Sequence, residues 1–129
     1  MRSINYLLML FFLVTLIGFS SNTSAQQQDP YLPFAEQMPQ PVGGMEAIYK
    51  NIHYPETARE AHLEGKVYLL LFINEDGNID KVTVIKGIGL GCDEAAKAGV
   101  SKVRFTPAKN NGAAVKVKLS LAITFKLTN

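Results

Sequence analysis

The residues with side chains able to do chemistry are few and scattered along this chain. The sequence contains two histidines, His53 and His62, and one cysteine. Two histidines and a single thiol do not predict a metal centre, because zinc sites take three or four protein ligands. Glu75 and Asp76 are adjacent in a segment of turn-forming residues, where acidic side chains make local hydrogen bonds. Catalytic carboxylate pairs stand apart in different environments, so this pair does not indicate acid–base catalysis.

A glycine-rich segment is the other candidate for chemistry. Gly87, Gly89 and Gly91 alternate just before a helical pattern, which could suggest a phosphate-binding loop. The spacing differs from the dinucleotide fingerprint, and no lysine–hydroxyl pair follows as in a P-loop. Asp93 and Glu94 would also place negative charge in the first helical turn, where it repels an anion. We therefore expect no catalytic constellation and no cofactor, and the chain is predicted not to be an enzyme.

Length and composition exclude further classes of protein. The 129 residues suffice for one domain, and 47% hydrophobic with 19% charged residues favours a folded core over disorder. A formal net charge of +2 gives no strongly basic surface, so a nucleic-acid partner is not expected. The lone Cys92 rules out a disulfide framework. It is predicted to be a small buried residue on a helix, with a disulfide between chains as the alternative.

The first 25 residues are predicted to be a signal peptide. Arg2 is followed by an uncharged apolar run over residues 6–19 and by small polar residues up to Ala25. A helix over that run is about 21 Å long at about 1.5 Å per residue, short of the bilayer's hydrocarbon core of about 30 Å. We expect cleavage before Gln26 and export of the remainder. The alternative is a short leader that stays uncleaved as a membrane anchor.

The rest of the chain is predicted to comprise an extended, Pro- and Gln-rich lead-in over residues 26–42 and a folded domain over residues 43–129. Hydrophobic spacing and turn residues predict the order helix, helix, strand, strand, helix, strand. These elements span residues 45–51, 55–63, 66–74, 79–86, 93–103 and 115–127. That order predicts an α+β fold, a small antiparallel three-stranded sheet with helices packed on one face.

The last predicted strand has the strongest pattern in the chain. From Val115 to Leu127, apolar and polar residues alternate without interruption, which is typical of a strand with one buried face. A strand this long is expected to extend past its neighbours and leave unpaired N–H and C=O groups. An extended peptide could then add to it as a further strand. Lys116, Lys118 and Lys126 on its polar face either favour partners with acidic flanks or only add solubility.

Four motifs, in order and at compatible spacing over about residues 43–127, resemble the TonB C-terminal domain family. They are Gly43-Gly44-Met45-Glu46-Ala47 with Asn51-Ile52-His53-Tyr54-Pro55, Glu64-Gly65-Lys66-Val67 with Asp76-Gly77, Gly91-Cys92-Asp93-Glu94-Ala95-Ala96, and Phe105-x-Pro107 with Asn111-Gly112 and Phe125. Phe105 stands where the family usually has tryptophan.

The resemblance implies a periplasmic domain of the cell envelope of double-membrane bacteria, with a role in TonB-linked transmembrane transport. The implied partner is an outer-membrane TonB-dependent transporter, whose TonB box adds as a strand beside the domain's last strand. The implied peptide-binding residues are Asn51, His53, Tyr54, Lys116, Lys118, Ser120, Ala122 and Thr124. No cofactor or metal is implied.

Two features depart from the family's energy transducers. Residues 6–19 contain no histidine of the kind that engages the inner-membrane motor proteins, and they form a short segment. Residues 20–42 reach at most about 80 Å at about 3.3–3.6 Å per residue, little for a spacer across the periplasm. The sequence therefore supports transporter binding and argues against engagement of the motor. The alternative is a self-associating structural module of the cell envelope, a homodimer formed through the last strand.

Overall fold

A computed structural model describes residues 28–128 of the chain. The predicted signal peptide, residues 1–25, lies outside these residues, as do the first two residues of the lead-in. No helix within the described part is long and apolar enough to cross a membrane.

Three helices occur in the described chain: α1 (Gly44–Lys50), α2 (Glu56–Glu60) and α3 (Cys92–Ser101). Their order is as predicted, but α2 ends before the expected Leu63. His62 adopts a φ of 52°, a left-handed conformation in which an α-helix of L-residues does not continue. Ala58 within α2 is buried, whereas Ala61 is exposed because it lies beyond the last helical residue.

Five strands accompany the helices. They are β1 (Gly65–Ile73), β2 (Ile79–Lys86), β3 (Ala108–Asn110), β4 (Ala113–Val115) and β5 (Val117–Phe125). The three longer strands form an antiparallel sheet in the order β2-β1-β5, which confirms the predicted α+β fold with a three-stranded sheet. The short β3 and β4 form a separate hairpin that the predicted order of elements does not contain.

The bounds predicted for the last strand, residues 115–127, are wrong. Lys116 belongs to neither strand. Val115 before it pairs with Ala108 in the short hairpin, and β5 starts only at Val117. Along its whole length β5 pairs with β1, from Gly65 opposite Phe125 to Ile73 opposite Val117. It therefore does not extend past its neighbour. Its unpaired backbone groups arise instead from its position at the edge of the sheet.

The hydrophobic core lies between the helices and one face of the sheet. Every second residue of β1, from Val67 to Ile73, has no exposed surface, and Ile48 of α1 and Val100 of α3 are equally buried. The intervening residues of β1 point to the opposite face, where Tyr68 remains 40% exposed. The helices cover one face of β1, so only alternate residues are fully buried, and the opposite apolar face is covered in part, where Tyr31 packs on Phe72.

Residues 28–42 fold back along the domain, and we call them the strap. Gln37 and Lys109 exchange two backbone hydrogen bonds of 3.0 Å, and the Thr106 N–H donates to the Gln40 carbonyl at 2.8 Å. Ala35 and Pro39 are buried against the domain. The residues that precede α1 are therefore part of the packed structure.

The turn between β1 and β2 is closed by the Asn74 side chain and by Gly77. Oδ1 of Asn74 accepts hydrogen bonds from the N–H groups of Asp76 at 2.9 Å and Asn78 at 3.1 Å. Gly77 has a φ of +82°, and its carbonyl accepts the Phe105 N–H at 3.0 Å. A Cβ at Gly77 would lie 1.9 Å from the Phe105 carbonyl oxygen, so that only glycine allows this contact.

We expect Gly77→Ala to lower the free energy of unfolding by about 2–4 kcal/mol, since left-handed strain and overpacking add up. Gly112→Ala is the matched control, because Gly112 has a similar φ of +78° but open space around its Cα. Gly112→Ala should lower the free energy of unfolding by the left-handed strain alone, about 1–2 kcal/mol. Urea unfolding of both variants measures the difference, and equal losses would contradict the role given to the Phe105 contact.

Candidate functional site

The outer edge of β5 is the candidate site, and hydrogen bonds identify which of its groups point outward. The Lys118 N–H donates to the Leu32 carbonyl, and the Lys116 carbonyl accepts the Leu32 N–H, both at 2.9 Å. Further along, the Thr124 N–H donates to the Tyr49 hydroxyl at 3.1 Å. Alternate residues of a strand point their backbone groups to opposite sides. The backbone N–H and C=O groups of the even-numbered residues of β5 therefore point away from β1.

Ser120 and Ala122 lie between these occupied positions. Their N–H groups point outward, and neither has a hydrogen-bond partner among residues 28–128. Ser120 is exposed and Ala122 is half-buried. A short stretch of strand edge is therefore open, and an extended backbone can add to such an edge with main-chain hydrogen bonds.

The chain's own residues close the open stretch at both ends. Leu32 of the strap forms a parallel bridge with Val117 at the start of β5. Tyr49, at the end of α1, covers the other end through its hydroxyl on the Thr124 N–H. Of the outward residues predicted for the site, Ser120 and Ala122 are thus the two that lie between the closed ends.

The two lysines at the start of β5 are engaged by the strap. Lys118 forms an ion pair with Asp29, and its hydrogen bond to that carboxylate lowers the pKa of Asp29. The Lys118 ammonium also lies 5.6 Å from the ring centroid of Phe72. The Lys116 ammonium lies 5.5 Å from the ring centroid of Tyr31. The basic face of β5 is therefore compatible with acidic and aromatic side chains placed beside it.

The structure gives different roles to the three predicted residues before and at the Tyr-Pro step. Asn51 caps α1, and its side-chain amide donates to the Ala47 carbonyl at 2.8 Å. His53 is exposed. Tyr54 is half-buried, donates its hydroxyl to the Leu63 carbonyl and packs edge-on against Phe125 with ring centroids 5.3 Å apart. Of the three, His53 presents its side chain most openly to solvent.

Basic groups also surround a cavity beyond the far end of β5. The cavity has a volume of about 370 Å³. Its lining residues are Tyr54, Arg59, His62, Lys126, Leu127 and Thr128. Desolvation, the largest effect, raises the pKa of Tyr54. With Arg59 and Lys126 on its rim, the cavity suits an acidic group at the end of a bound strand.

The glycine-rich loop before α3 binds the carboxylate of Asp93, which lies in the first turn of α3. Oδ1 of Asp93 accepts the Ile88 N–H at 2.9 Å and the Gly89 N–H at 3.4 Å. A Cβ at Gly87 would overlap that carboxylate, at 2.1 Å from its oxygen. The Ile88 and Gly89 amides, which could have held a phosphate, are thus occupied, which gives Gly87 and Gly89 a structural role.

Cys92 has no exposed surface at the start of α3. Burial, followed by the charges of Asp93 and Glu94, raises the pKa of its thiol. Within residues 28–128 no three metal-ligating side chains come together.

Three residues beside the open edge, Tyr31, Leu32 and Tyr49, were not among the predicted site residues. Tyr49 and Thr124 are 75 residues apart, and no local periodicity connects them. The strap residues Tyr31 and Leu32 lie among prolines, which predict extended chain without indicating where it packs. Only the tertiary arrangement brings them to β5.

Known proteins share the overall fold of this chain. The family model of the Gram-negative bacterial TonB protein C-terminal matches residues 50–127. The chain is similar to the solution structure of the TonB C-terminal domain of Pseudomonas aeruginosa, with a TM-score of 0.54 and 26% identity over 70% of this chain and 88% of that chain. It also matches the Helicobacter pylori TonB domain, with a TM-score of 0.44 and 24% identity over 60% and 85% of the two chains. The search of curated proteins found no match.

Amide hydrogen exchange along β5 should alternate. We expect the Ser120 and Ala122 amides to exchange at least about a hundredfold faster than those of Leu119 and Leu121, because amides bonded to β1 exchange only when the sheet opens. Tyr49→Phe should bring the Thr124 amide to the fast rate. Tyr68→Phe, which removes a hydroxyl from β1, is the control and should leave Thr124 unchanged. Exchange followed by NMR tests the assignment, and slow exchange at Ser120 would contradict the open edge.

Proposed function

Because the chain belongs to the family of Gram-negative bacterial TonB C-terminal domains, we propose that it binds the TonB box of an outer-membrane transporter as an added strand on β5. The family's domain is a periplasmic, non-catalytic interaction domain that generally interacts with outer-membrane TonB-dependent transporters. The observation that carries the finer proposal is the pair of outward N–H groups on Ser120 and Ala122. They offer a partner backbone two hydrogen bonds without rearrangement of the sheet.

Charge supports the choice of partner. Lys116 and Lys118 flank the start of the open edge, while Arg59 and Lys126 line the cavity beyond its end. A bound strand with acidic residues at either end would meet these groups, and such complementary charges favour correct encounter and register. Backbone pairing then supplies affinity, and the flanking side chains supply selection.

The loop after α1 forms the second part of the proposed surface. Tyr49 contacts the edge at Thr124, so that the end of α1 lies beside β5. Asn51 and His53 follow within a few residues, and the exposed His53 can contact a strand that runs past Thr124. Tyr54 contributes by holding this loop against Phe125.

Proline substitutions on the edge test the binding mode. Ala122→Pro or Ser120→Pro removes one outward N–H, and we expect the affinity for a TonB-box peptide to fall at least about tenfold. Proline is tolerated at such positions because the lost N–H does not pair with β1. Ala122→Ser and Ser120→Ala keep the N–H and serve as matched controls with unchanged affinity. Calorimetric titration measures the binding, and unchanged affinity in a folded proline variant would contradict this geometry.

A second candidate function is self-association through the same edge. Its support is the same pair of outward N–H groups on Ser120 and Ala122, which a strand of a second copy could also meet. Two copies could pair β5 with β5 across a two-fold axis. Light scattering separates the candidates: dimers that persist in excess TonB-box peptide favour self-association, and monomers with bound peptide favour transporter binding.

Export with a cleaved leader is the proposed route to the periplasm. Sequencing of the mature amino terminus should find Gln26 first, since the small residues before it match a signal-peptidase site. A mature chain that still starts at Met1 would contradict cleavage and support an inner-membrane anchor.

A further inference from the structure

The first residues of the strap already occupy part of the proposed binding edge. We call residues 29–32 the strap head. Its Leu32 makes two backbone hydrogen bonds of 2.9 Å to β5, one to the Lys116 carbonyl and one from the Lys118 N–H. It runs parallel to β5 beside Val117. These bonds are of the kind that an added strand makes, so the head imitates the start of a bound peptide.

Side-chain contacts hold the head in place, and the residues that make them are exposed or half-buried. Asp29 pairs with Lys118, and the Tyr31 ring packs edge-on against Phe72 with centroids 5.1 Å apart. The Tyr31 hydroxyl donates to the Asp80 carboxylate, and this bond is the largest cause of the lowered pKa of Asp80. Exposed ion pairs and hydrogen bonds contribute little each, so the head is held by a few weak contacts.

The rest of the strap is anchored separately. After Leu32 the chain bends at Pro33 and leaves the edge, and Phe34 is 71% exposed. The next residue, Ala35, is 5% exposed. Backbone bonds from Gln37 then hold the strap to the short hairpin. The head can therefore leave β5 while the remainder of the strap and the core stay intact.

We propose that the strap head competes within the molecule for the transporter strand's site, so that a strand bound along the whole edge displaces residues 29–32. The inference rests on the proposed function and adds regulation to the same site. With the head bound, the N–H groups of Ser120 and Ala122 are available. With the head released, the Lys118 N–H and the Lys116 carbonyl join them.

A partner strand that displaces the head lies beside the side chains that the head contacted. Lys118 loses Asp29 and can pair with an acidic residue of the partner. Phe72 and Lys116 lose the Tyr31 ring and can contact an aromatic one. The inference thus favours partners that carry an acidic and an aromatic residue where their strand reaches Val117.

Release variants test the inference with TonB-box peptides from the same bacterium as probes. Tyr31→Ala removes the aromatic contact with Phe72 and the hydrogen bond to Asp80. We expect the affinity for the peptide to rise about tenfold, which is the factor for a site that the head covers about nine-tenths of the time. Asp29→Asn should raise it by a smaller factor. Phe34→Ala is the matched control, because this exposed aromatic residue of the strap lies beyond the edge, and its affinity should equal that of the wild type.

Amide exchange at Leu32 supplies the second measurement. In the wild type this amide should be protected without peptide and should exchange fast when peptide is bound. Equal peptide affinity of wild type and Tyr31→Ala, with Leu32 protected in the complex, would overturn the inference and leave the proposed function intact. Absence of peptide binding to every variant would overturn the proposed function itself.

Discussion

Antiparallel pairing between β1 and β5 decides both what is buried and which backbone groups reach solvent. In a strand, the side chains and the hydrogen-bonding groups alternate with the same period of two residues. The residues of β5 that point into the core, such as Val117 and Ile123, are therefore those that bond to β1. The residues that point away from the core present their N–H groups at the edge. A slip of one residue would expose the core side chains, so the register of the core also sets the register of the site.

Long-range contacts then reduce this edge to a small open segment. Leu32 closes it at one end and Tyr49 at the other, and both act on backbone groups of β5. Neither contact belongs to the sheet or to the core. The fold thus provides an edge strand, and two added contacts determine how much of it a partner finds free.

The sequence predicts the elements well where their pattern is local. Alternation along residues 115–127 indicated the strand and its polar face, and the Gly-Asn turn indicated the β1–β2 hairpin. Errors occur where backbone conformation overrides composition. The left-handed φ of His62 ends α2 before the predicted residue. The predicted last strand is interrupted at Lys116, and Val115 belongs to a second hairpin. The contacts of Leu32 and Tyr49 join residues far apart in the chain, and no periodicity encodes such a pairing.

The closed ends of the β5 edge also bear on solubility. A long bare strand edge lets identical molecules stack into continuing sheets, which is how filaments and amorphous aggregates begin. Along β5, within residues 28–128, Ser120 and Ala122 are the outward donors left between the Leu32 and Tyr49 contacts, and charged lysines stand beside them. Two hydrogen bonds are enough to start a selected complex, whereas a growing stack of identical chains needs a longer run of paired strand, so the closed ends limit stacking through the β5 edge.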